Sequence, residues 1–169
     1  MWDNTGQQRP EFAAEPGPGQ ESVWDYPRPP AIQRDNRLIE VRDGDALIAS
    51  TRDSCRVLET ASPPTFYLPA DAIGWDRLVE VGGTSVCEWK GMAKYWALAR
   101  DPETPVAWAY PRPKPRFDVV KDYLAFYPGR VDCFVDGERV VAQAGGFYGG
   151  WITAEILGPF KGEPGTGHW

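Results

Sequence analysis

Two Asp-Gly dipeptides constrain the fold more than any other feature of this sequence. They stand at positions 43–44 and 136–137. The apolar runs that flank them are 37–41 with 46–50, and 131–135 with 138–142. Asp-Gly between such runs is a strong short-range signal of a β-hairpin, because a tight turn needs residues that accept positive φ. The sequence therefore predicts two hairpins that are far apart along the chain.

The rest of the chain is divided by turn residues in the same way. Seventeen prolines and eighteen glycines leave little room for continuous helix. Further strands are predicted at 55–60 and 65–69, with a hairpin of 78–81 and 84–90 around Gly82-Gly83, and another of 92–100 and 106–110. One helix is predicted at 118–127, between a capping Asp118 and Pro128-Gly129. The fold class is mainly β and antiparallel, with about seven to nine short strands and one short α-helix.

Composition divides the chain into three parts. Residues 1–22 are polar and rich in Gly, Pro and Gln, which predicts a flexible N-terminal arm or an extended strap. Residues 23–144 form a single β domain. Residues 145–169 are too rich in glycine for helix, and are predicted to extend over this domain or over a second copy of the chain.

Charge and cysteine content limit the partners. The net charge of −6 argues against nucleic acid and against an anionic membrane surface as partners. No apolar run reaches the length of about 20 residues that spans a bilayer. Three widely spaced cysteines do not form a disulfide framework, and reduced thiols predict a cytoplasmic protein.

One internal repeat stands out. Residues 24–29, WDYPRP, and 108–113, WAYPRP, are identical at five of six positions, and each precedes one of the two Asp-Gly hairpins. We hypothesise that the two halves are related, with the helix inserted only in the second.

Four stretches together resemble the bacterial domain-of-unknown-function family number 427. They are the hairpins, CEWKGMAKYW at 87–96, WAYPRPKP at 108–115 and YLAFYPGRVDCFVDGE at 123–138. Members show Cys-Pro-Tyr-Lys-Gly-x-x-x-Tyr-Trp. Cys87, Lys90, Gly91, Tyr95 and Trp96 match this motif, whereas Glu88 and Trp89 depart from it.

The resemblance covers about residues 37–142. The flanks WDYPRPP and GGFYGGW resemble those of a longer subgroup. The resemblance implies a β-tent-like domain and brings almost no chemistry beyond a nucleotidyltransferase-like label.

The residues give little support to metal or phosphate chemistry. With three scattered cysteines and one histidine, the chain has no C-x-x-C pair for zinc, and we predict no metal and no cofactor. Nucleotidyl transfer needs carboxylates for Mg²⁺ and a phosphate-binding loop. The single Asp-x-Asp, at 43–45, is explained by a hairpin turn, and no Walker pattern is present.

Cys87 and Lys90 form the most reactive pair of residue types in the chain. An ammonium group near a thiol favours the nucleophilic thiolate. In a regular strand, however, residues 87 and 90 point to opposite faces, unless Gly91 ends the strand or a bulge intervenes. The alternative is that Cys87 is a small buried hydrophobe.

Aromatic residues on neighbouring strands predict a binding cleft. A concave sheet would gather several rings around a few polar anchors, as small-molecule sites require. The predicted ligand-binding residues are Arg52, Tyr67, Trp89, Lys90, Trp96, Trp108, Tyr110 and Arg130. The alternative is that these rings fill the core and that Arg52 and Glu59 form a surface pair.

Three functions remain open. The first is binding of an unidentified small molecule in this cleft. The second is an enzyme that uses the same cleft, with Lys90, Tyr110 and Glu59 as acid–base groups and Cys87 as a further catalytic candidate. The third is a structural or interaction protein that forms a homodimer through its C-terminal extension.

Overall fold

The computed structural model describes residues 2–169 and confirms the mainly β fold. Within this range the strands are β1 (Glu21–Ser22), β2 (Ala31–Asp35), β3 (Ile39–Asp43), β4 (Ala46–Thr51), β5 (Ser54–Leu58), β6 (Thr65–Tyr67), β7 (Leu78–Cys87), β8 (Gly91–Leu98), β9 (Asp101–Ala109), β10 (Ala125–Phe126), β11 (Asp132–Val135), β12 (Glu138–Arg139), β13 (Val141–Ala142), β14 (Trp151–Ile152) and β15 (Ile156–Leu157). Short 3₁₀ turns are formed by Val23–Asp25, Ala70–Ala72, Trp75–Arg77 and Pro115–Val120.

The two Asp-Gly hairpins lie side by side in one sheet. Its strand order is β12-β11-β3-β4, and β11 pairs with β3 in antiparallel register. In the second hairpin Asp136 and Gly137 both have positive φ and form the turn, as predicted. In the first hairpin Asp43 still pairs with Ala46, so that the turn consists of Gly44 and Asp45. The two turns are therefore one residue out of step, and the common origin of the two halves stays a prediction.

A second sheet has the order β10-β9-β8-β7 and contains one difference from the predicted hairpins. Gly82 and Gly83 do not turn the chain back. They lie within the ten-residue strand β7, where the pairing with β8 shifts register between Val81 and Ser85. Such a bulge inserts extra residues without reversing the strand. The reversal instead comes at residues 88–90, since Cys87 pairs with Gly91.

The predicted helix at 118–127 is replaced by shorter elements. A 3₁₀ turn ends at Val120, Asp122 has a φ of 61°, and Ala125–Phe126 pair with β9 as strand β10. The amide of Leu124 donates to the oxygen of Leu68 at 2.8 Å, and the reverse bond measures 2.9 Å. This tertiary pairing uses the backbone groups that a helix would need, so it overrides the helical spacing of the apolar residues.

The two terminal parts of the chain pack against each other and against the domain. β1 pairs in parallel with β15, and the ring of Phe12 stacks on Trp169 and meets the edge of Trp24. Residues 2–22 thus form a strap, and the extension packs on its own domain. Among residues 2–169, no helix has the length and apolar character to cross a membrane.

Candidate functional site

A cavity of about 220 Å³ lies between the third sheet, β2-β5-β6, and the β7–β10 sheet. The C-terminal extension covers it. Its lining combines aromatic rings with a few polar groups: Val57, Glu59, Ser62, Pro63, Thr65, Tyr67, Ser85, Val86, Cys87, Lys90, Tyr95, Trp108, Tyr110, Tyr127, Gln143, Phe147, Tyr148, Gly149 and Lys161.

Strand register explains which rings face the cavity. Trp108 and Tyr110 are two residues apart and share one face of the chain around β9. Tyr95 is the cross-strand partner of Trp108, so its side chain lies on the same face. The ring of Trp108 contacts Tyr67 at 6.3 Å and Tyr127 at 4.5 Å between centroids. These rings form a wall in which Tyr67, Trp108 and Tyr110 are almost completely buried.

Lys90 reaches the cavity because it lies in the turn between β7 and β8. Gly91 has a φ of +108°, a conformation that side chains disfavour, so the chain can turn there. Lys114 holds this turn through two bonds. Its backbone amide donates to the carbonyl of Lys90 at 3.1 Å, and the ammonium of Lys114 donates to the carbonyl of Glu88 at 2.6 Å. Cys87 and Lys90 therefore both line the cavity, and the face rule of a regular strand does not apply to them.

The side chain of Lys90 is largely buried and has no charged partner within residues 2–169. Lys90 is only 9% exposed, and its Nζ lies 5.7 Å from the ring centre of Tyr110 and 5.8 Å from that of Phe117. Within residues 2–169 it forms no ion pair and no side-chain hydrogen bond. Buried lysines are normally paired, because leaving the charge uncompensated costs free energy.

Glu59, in contrast, is already engaged. Its Oε1 lies 3.5 Å from Nε of Arg28, whose side chain is 2% exposed, and it accepts a bond from Trp89 Nε1 at 3.3 Å. Burial lowers the pKa of Arg28 and the nearby Glu59 opposes this shift. The negative charge of Glu59 is thus balanced by Arg28, so Glu59 does not neutralise the positive charge of Lys90.

Three of the cavity tyrosines, Tyr67, Tyr110 and Tyr127, have raised pKa values and are protonated at neutral pH. Burial is the main cause that raises the pKa of Tyr67 and of Tyr110 far above its usual range, although the charge of Lys90 lowers the latter. Burial likewise raises the pKa of Tyr127, to about 12. These phenols can donate hydrogen bonds at neutral pH, but they are poor bases.

Comparison with protein-family models places residues 31–137 within the family described as Domain of unknown function (DUF427). This match covers more than half of the 169 residues. The chain belongs to the DUF427 family. A comparison with curated protein sequences finds no match.

The DUF427 domain provides only part of the cavity. Lys90, Cys87 and the buried rings lie within the matched range, whereas five lining residues follow it in the chain. They are Gln143, Phe147, Tyr148, Gly149 and Lys161.

Residues 145–150, which we call the entrance segment, border the cavity on the side of the extension. Phe147 is 72% exposed and Tyr148 38%, although both line the cavity. Gly149 lies so close to Trp108 that a Cβ atom there would be 2.1 Å from the indole Cη2. Arg130 stacks on Tyr127 at 4.0 Å and donates to the carbonyl of Gly146 at 2.7 Å, which holds the segment to the DUF427 domain.

Lys161 brings a second cation to the lining. Its Nζ donates to the main-chain oxygen of Trp169 at 2.9 Å and lies 5.7 Å from the ring centre of Tyr148. Burial, and next the charge of Arg28, lower its pKa. Gln143 fixes the backbone here by donating to the oxygen of Lys161 and accepting from the amide of Gly150.

The structure brings some of the predicted site residues together and leaves others outside. Tyr67, Lys90, Trp108, Tyr110, Glu59 and Cys87 all line the cavity. Trp89 does not line the cavity but donates a hydrogen bond to Glu59, and Arg130 donates one to the carbonyl of Gly146 in the entrance segment.

Trp96 and Arg52 lie elsewhere. Trp96 projects from the opposite face of β8 and packs at 5.9 Å against Trp75, since neighbouring strand residues alternate in direction. Arg52 lines a separate open groove beside Arg56 and does not pair with Glu59, whose partner is Arg28.

The predicted ligand-binding residues leave out Tyr95, and sequence reasoning missed the entrance segment. Tyr95 could have been found from its register with Trp108. The pattern Gly-Gly-Phe-Tyr-Gly-Gly at 145–150 was the available signal for the entrance segment.

Other reactive groups stay outside the cavity. Burial raises the pKa of the Cys55 and Cys133 thiols, neither of which lines it. Asp43, from the single Asp-x-Asp, is bound by Arg100 at 2.6 Å. Within residues 2–169, no three His, Cys, Asp or Glu side chains are grouped to hold a metal ion.

Proposed function

We propose that this protein binds a small organic anion with a flat, single-ring body in the cavity between the two sheets. The observation that carries the proposal is the nine-tenths buried Lys90, which has no ionic partner among residues 2–169 and lines a cavity walled by aromatic rings. An anionic group on the ligand would supply the missing partner. The rings would cover the body of the ligand, as is usual in small-molecule sites.

The balance of charge supports an anion. The protein as a whole carries −6, yet the cavity lining holds two lysines and one glutamate, and the glutamate is neutralised by Arg28. A ligand without negative charge would leave both ammonium groups uncompensated.

The size of the cavity supports a small ligand. Sites for drug-sized ligands have about 300–1,000 Å³. The volume here, about 220 Å³, is below that range. A volume below that range favours a single ring with one or two substituents over a drug-sized ligand.

The test is a titration with 4-methylbenzoate, followed by tryptophan fluorescence. Wild type is compared with Lys90→Met and with Lys94→Met, a control on β8 whose side chain is 51% exposed and paired with Glu80. A charge-assisted hydrogen bond contributes about 1.5–3 kcal/mol, so Lys90→Met should weaken binding about 10- to 100-fold. Lys94→Met should bind as wild type does.

A stability measurement separates a binding role from a structural one. Removing an uncompensated buried charge should raise the free energy of unfolding, so Lys90→Met should be at least as stable as wild type in urea while it loses affinity. Equal affinity in Lys90→Met and wild type, or no saturable change in wild type, would refute the proposal.

Acid–base catalysis in the same cavity is the second candidate. It is favoured by the position of Lys90 beside Tyr110, because the ammonium partly offsets the effect of burial on the phenol. We rank binding above catalysis because the pKa of Tyr110 is still raised, and Glu59 is already engaged by Arg28.

The three free thiols suit a reducing compartment, and cytoplasmic location stays a prediction.

A further inference from the structure

The first copy of the internal repeat, at 24–29, belongs to a group made of a phenol, a carboxylate and a buried cation. The phenol of Tyr26 donates to Oε1 of Glu21 at 2.6 Å. Nη1 of Arg56 donates to the same oxygen at 2.5 Å. Tyr26 is 5% exposed and Arg56 6%. The shared carboxylate thus provides the acceptor that two largely buried donors need.

The second copy of the repeat has a similar phenol and a cation, but it has no carboxylate between them. Its tyrosine, Tyr110, is 6% exposed, and Lys90, at 9%, has its Nζ 5.7 Å from the centre of that ring. When the two copies are aligned, Pro105 stands at the position of Glu21. Within residues 2–169, no carboxylate forms an ion pair with Lys90 or accepts a hydrogen bond from Tyr110.

Both donors of the second copy can be reached by a ligand. Tyr110 and Lys90 line the same cavity. Neither the phenol oxygen nor Nζ is among the fully buried atoms that lack a partner within residues 2–169, so open space remains beside each of them. The phenol is protonated at neutral pH, because burial raises the pKa of Tyr110 far above its usual range. It can therefore donate to an anion that enters the cavity.

We infer that the anionic group of the ligand is a carboxylate, held by both the ammonium of Lys90 and the phenol of Tyr110. It takes the place that the side chain of Glu21 fills in the first copy. The inference rests on the proposed function and deepens it by naming the ligand class, small aromatic carboxylates, and a second residue that selects it. A charged acceptor strengthens both hydrogen bonds. The comparison requires only that like donors are similarly buried, and not that the two copies have a common origin.

The first arm of the experiment removes the phenol. Tryptophan fluorescence titrations with 4-methylbenzoate compare wild type with Tyr110→Phe and with the matched control Tyr127→Phe. Tyr127 also lines the cavity, but the cation on its ring is Arg130, which already donates to two carbonyl oxygens. Tyr110→Phe loses a hydrogen bond to a charged group and should bind about 10- to 100-fold more weakly. Tyr127→Phe should bind as wild type does.

The second arm changes the ligand and can be read on wild type alone. The probe 4-methylbenzenesulfonate has the same ring, methyl group and charge as 4-methylbenzoate, but its oxygens are weaker hydrogen-bond acceptors. A site that recognises charge alone would hold both anions equally. A site with two directed donors should prefer the carboxylate at least about tenfold. This preference should shrink in Tyr110→Phe and persist in Tyr127→Phe, which general damage to the fold would not produce.

The outcomes separate this inference from the proposed function. Saturable binding that Lys90→Met weakens, with wild-type affinity in Tyr110→Phe or with equal affinity for the two probes, would overturn the shared carboxylate and leave the anion site standing. Equal losses in Tyr110→Phe and Tyr127→Phe would also overturn it. If neither probe binds wild type saturably, both claims fail. A loss of affinity and of preference confined to Tyr110→Phe supports both.

Discussion

Replacing Gly149 by alanine should open the cavity by pushing the entrance segment away from Trp108. A Cβ at position 149 would lie 2.1 Å from Cη2 and 2.6 Å from Cζ3 of the indole, well inside van der Waals contact. The indole is 8% exposed and packs against the ring of Tyr127 at 4.5 Å. It cannot retreat without disturbing the wall, so the backbone of the segment must move.

The expected cost follows from two opposing effects. Overpacking of a well-packed site costs about 1–3 kcal/mol. Gly→Ala restricts the unfolded chain and returns about 0.4–1 kcal/mol. With the middle of each range, the free energy of unfolding should therefore fall by about 1.3 kcal/mol, and Tm by about 3–5 °C for a protein of this size. Affinity for 4-methylbenzoate should fall as well, since the segment forms part of the cavity lining.

Urea unfolding of four variants provides the assay: Gly149→Ala, Gly167→Ala, Trp108→Leu and the double variant of Trp108→Leu with Gly149→Ala. Gly167→Ala is the matched control, because a Cβ there meets nothing within 4 Å, and it should be neutral or slightly stabilising. Trp108→Leu removes the clashing ring, so adding Gly149→Ala to it should cost little. Equal cost of Gly149→Ala with and without Trp108, or a cost no larger than that of Gly167→Ala, would refute the steric reasoning.

Three further outcomes are expected. Burial would raise the pKa of Glu21, but its hydrogen bonds with Arg56 and a tyrosine outweigh this effect and lower the pKa below 4.5. This carboxylate therefore stabilises the fold fully above pH 4.5, and the stabilisation is lost as the pH falls through the folded-state pKa. Glu21→Gln should flatten the acid limb of a stability–pH curve measured in urea. Arg130→Ala should speed chymotrypsin cleavage at the aromatic pair of the entrance segment, because the bond to that segment is lost. Iodoacetamide should label Cys87 in the native state and spare the two buried thiols, since reagent must reach the sulfur.

Each of these has a result that would contradict it. An acid limb of unchanged slope in Glu21→Gln would show that the carboxylate contributes nothing to acid stability. Cleavage of Arg130→Ala at the wild-type rate would show that the segment is held by other contacts, with Arg139→Ala as an exposed arginine control. Labelling of all three thiols at one rate would mean that the native packing does not protect Cys55 and Cys133.

Local signals in the sequence predicted the strands well, because hairpins depend on residues that are neighbours in the chain. The Asp136-Gly137 turn needs positive φ at both positions and forms as predicted. The helix at 118–127 failed for the opposite reason. Its apolar spacing is genuine, but the pairing of Leu124 with Leu68 joins residues more than fifty positions apart, and no local pattern contains that information.

The candidate site was likewise predictable where it depends on local alternation, and not where it depends on long-range contacts. Alternation along a strand correctly put Trp108 and Tyr110 on one face. It would keep Lys90 and Cys87 apart in a regular strand, but the exception stated for Gly91 applies, because the chain turns at 88–90 and Gly91 has a positive φ. The position of the entrance segment could not be predicted from the sequence, because the contact of Gly149 with Trp108 depends on how the extension folds back over the sheets.

The boundary of the family match passes through the wall of the cavity. Lys90 lies within the matched residues 31–137, whereas Phe147, Tyr148 and Lys161 come from chain that follows them. Substitutions near positions 147 and 161 would therefore change this wall of the cavity and leave the β7–β8 hairpin that holds Lys90 in place.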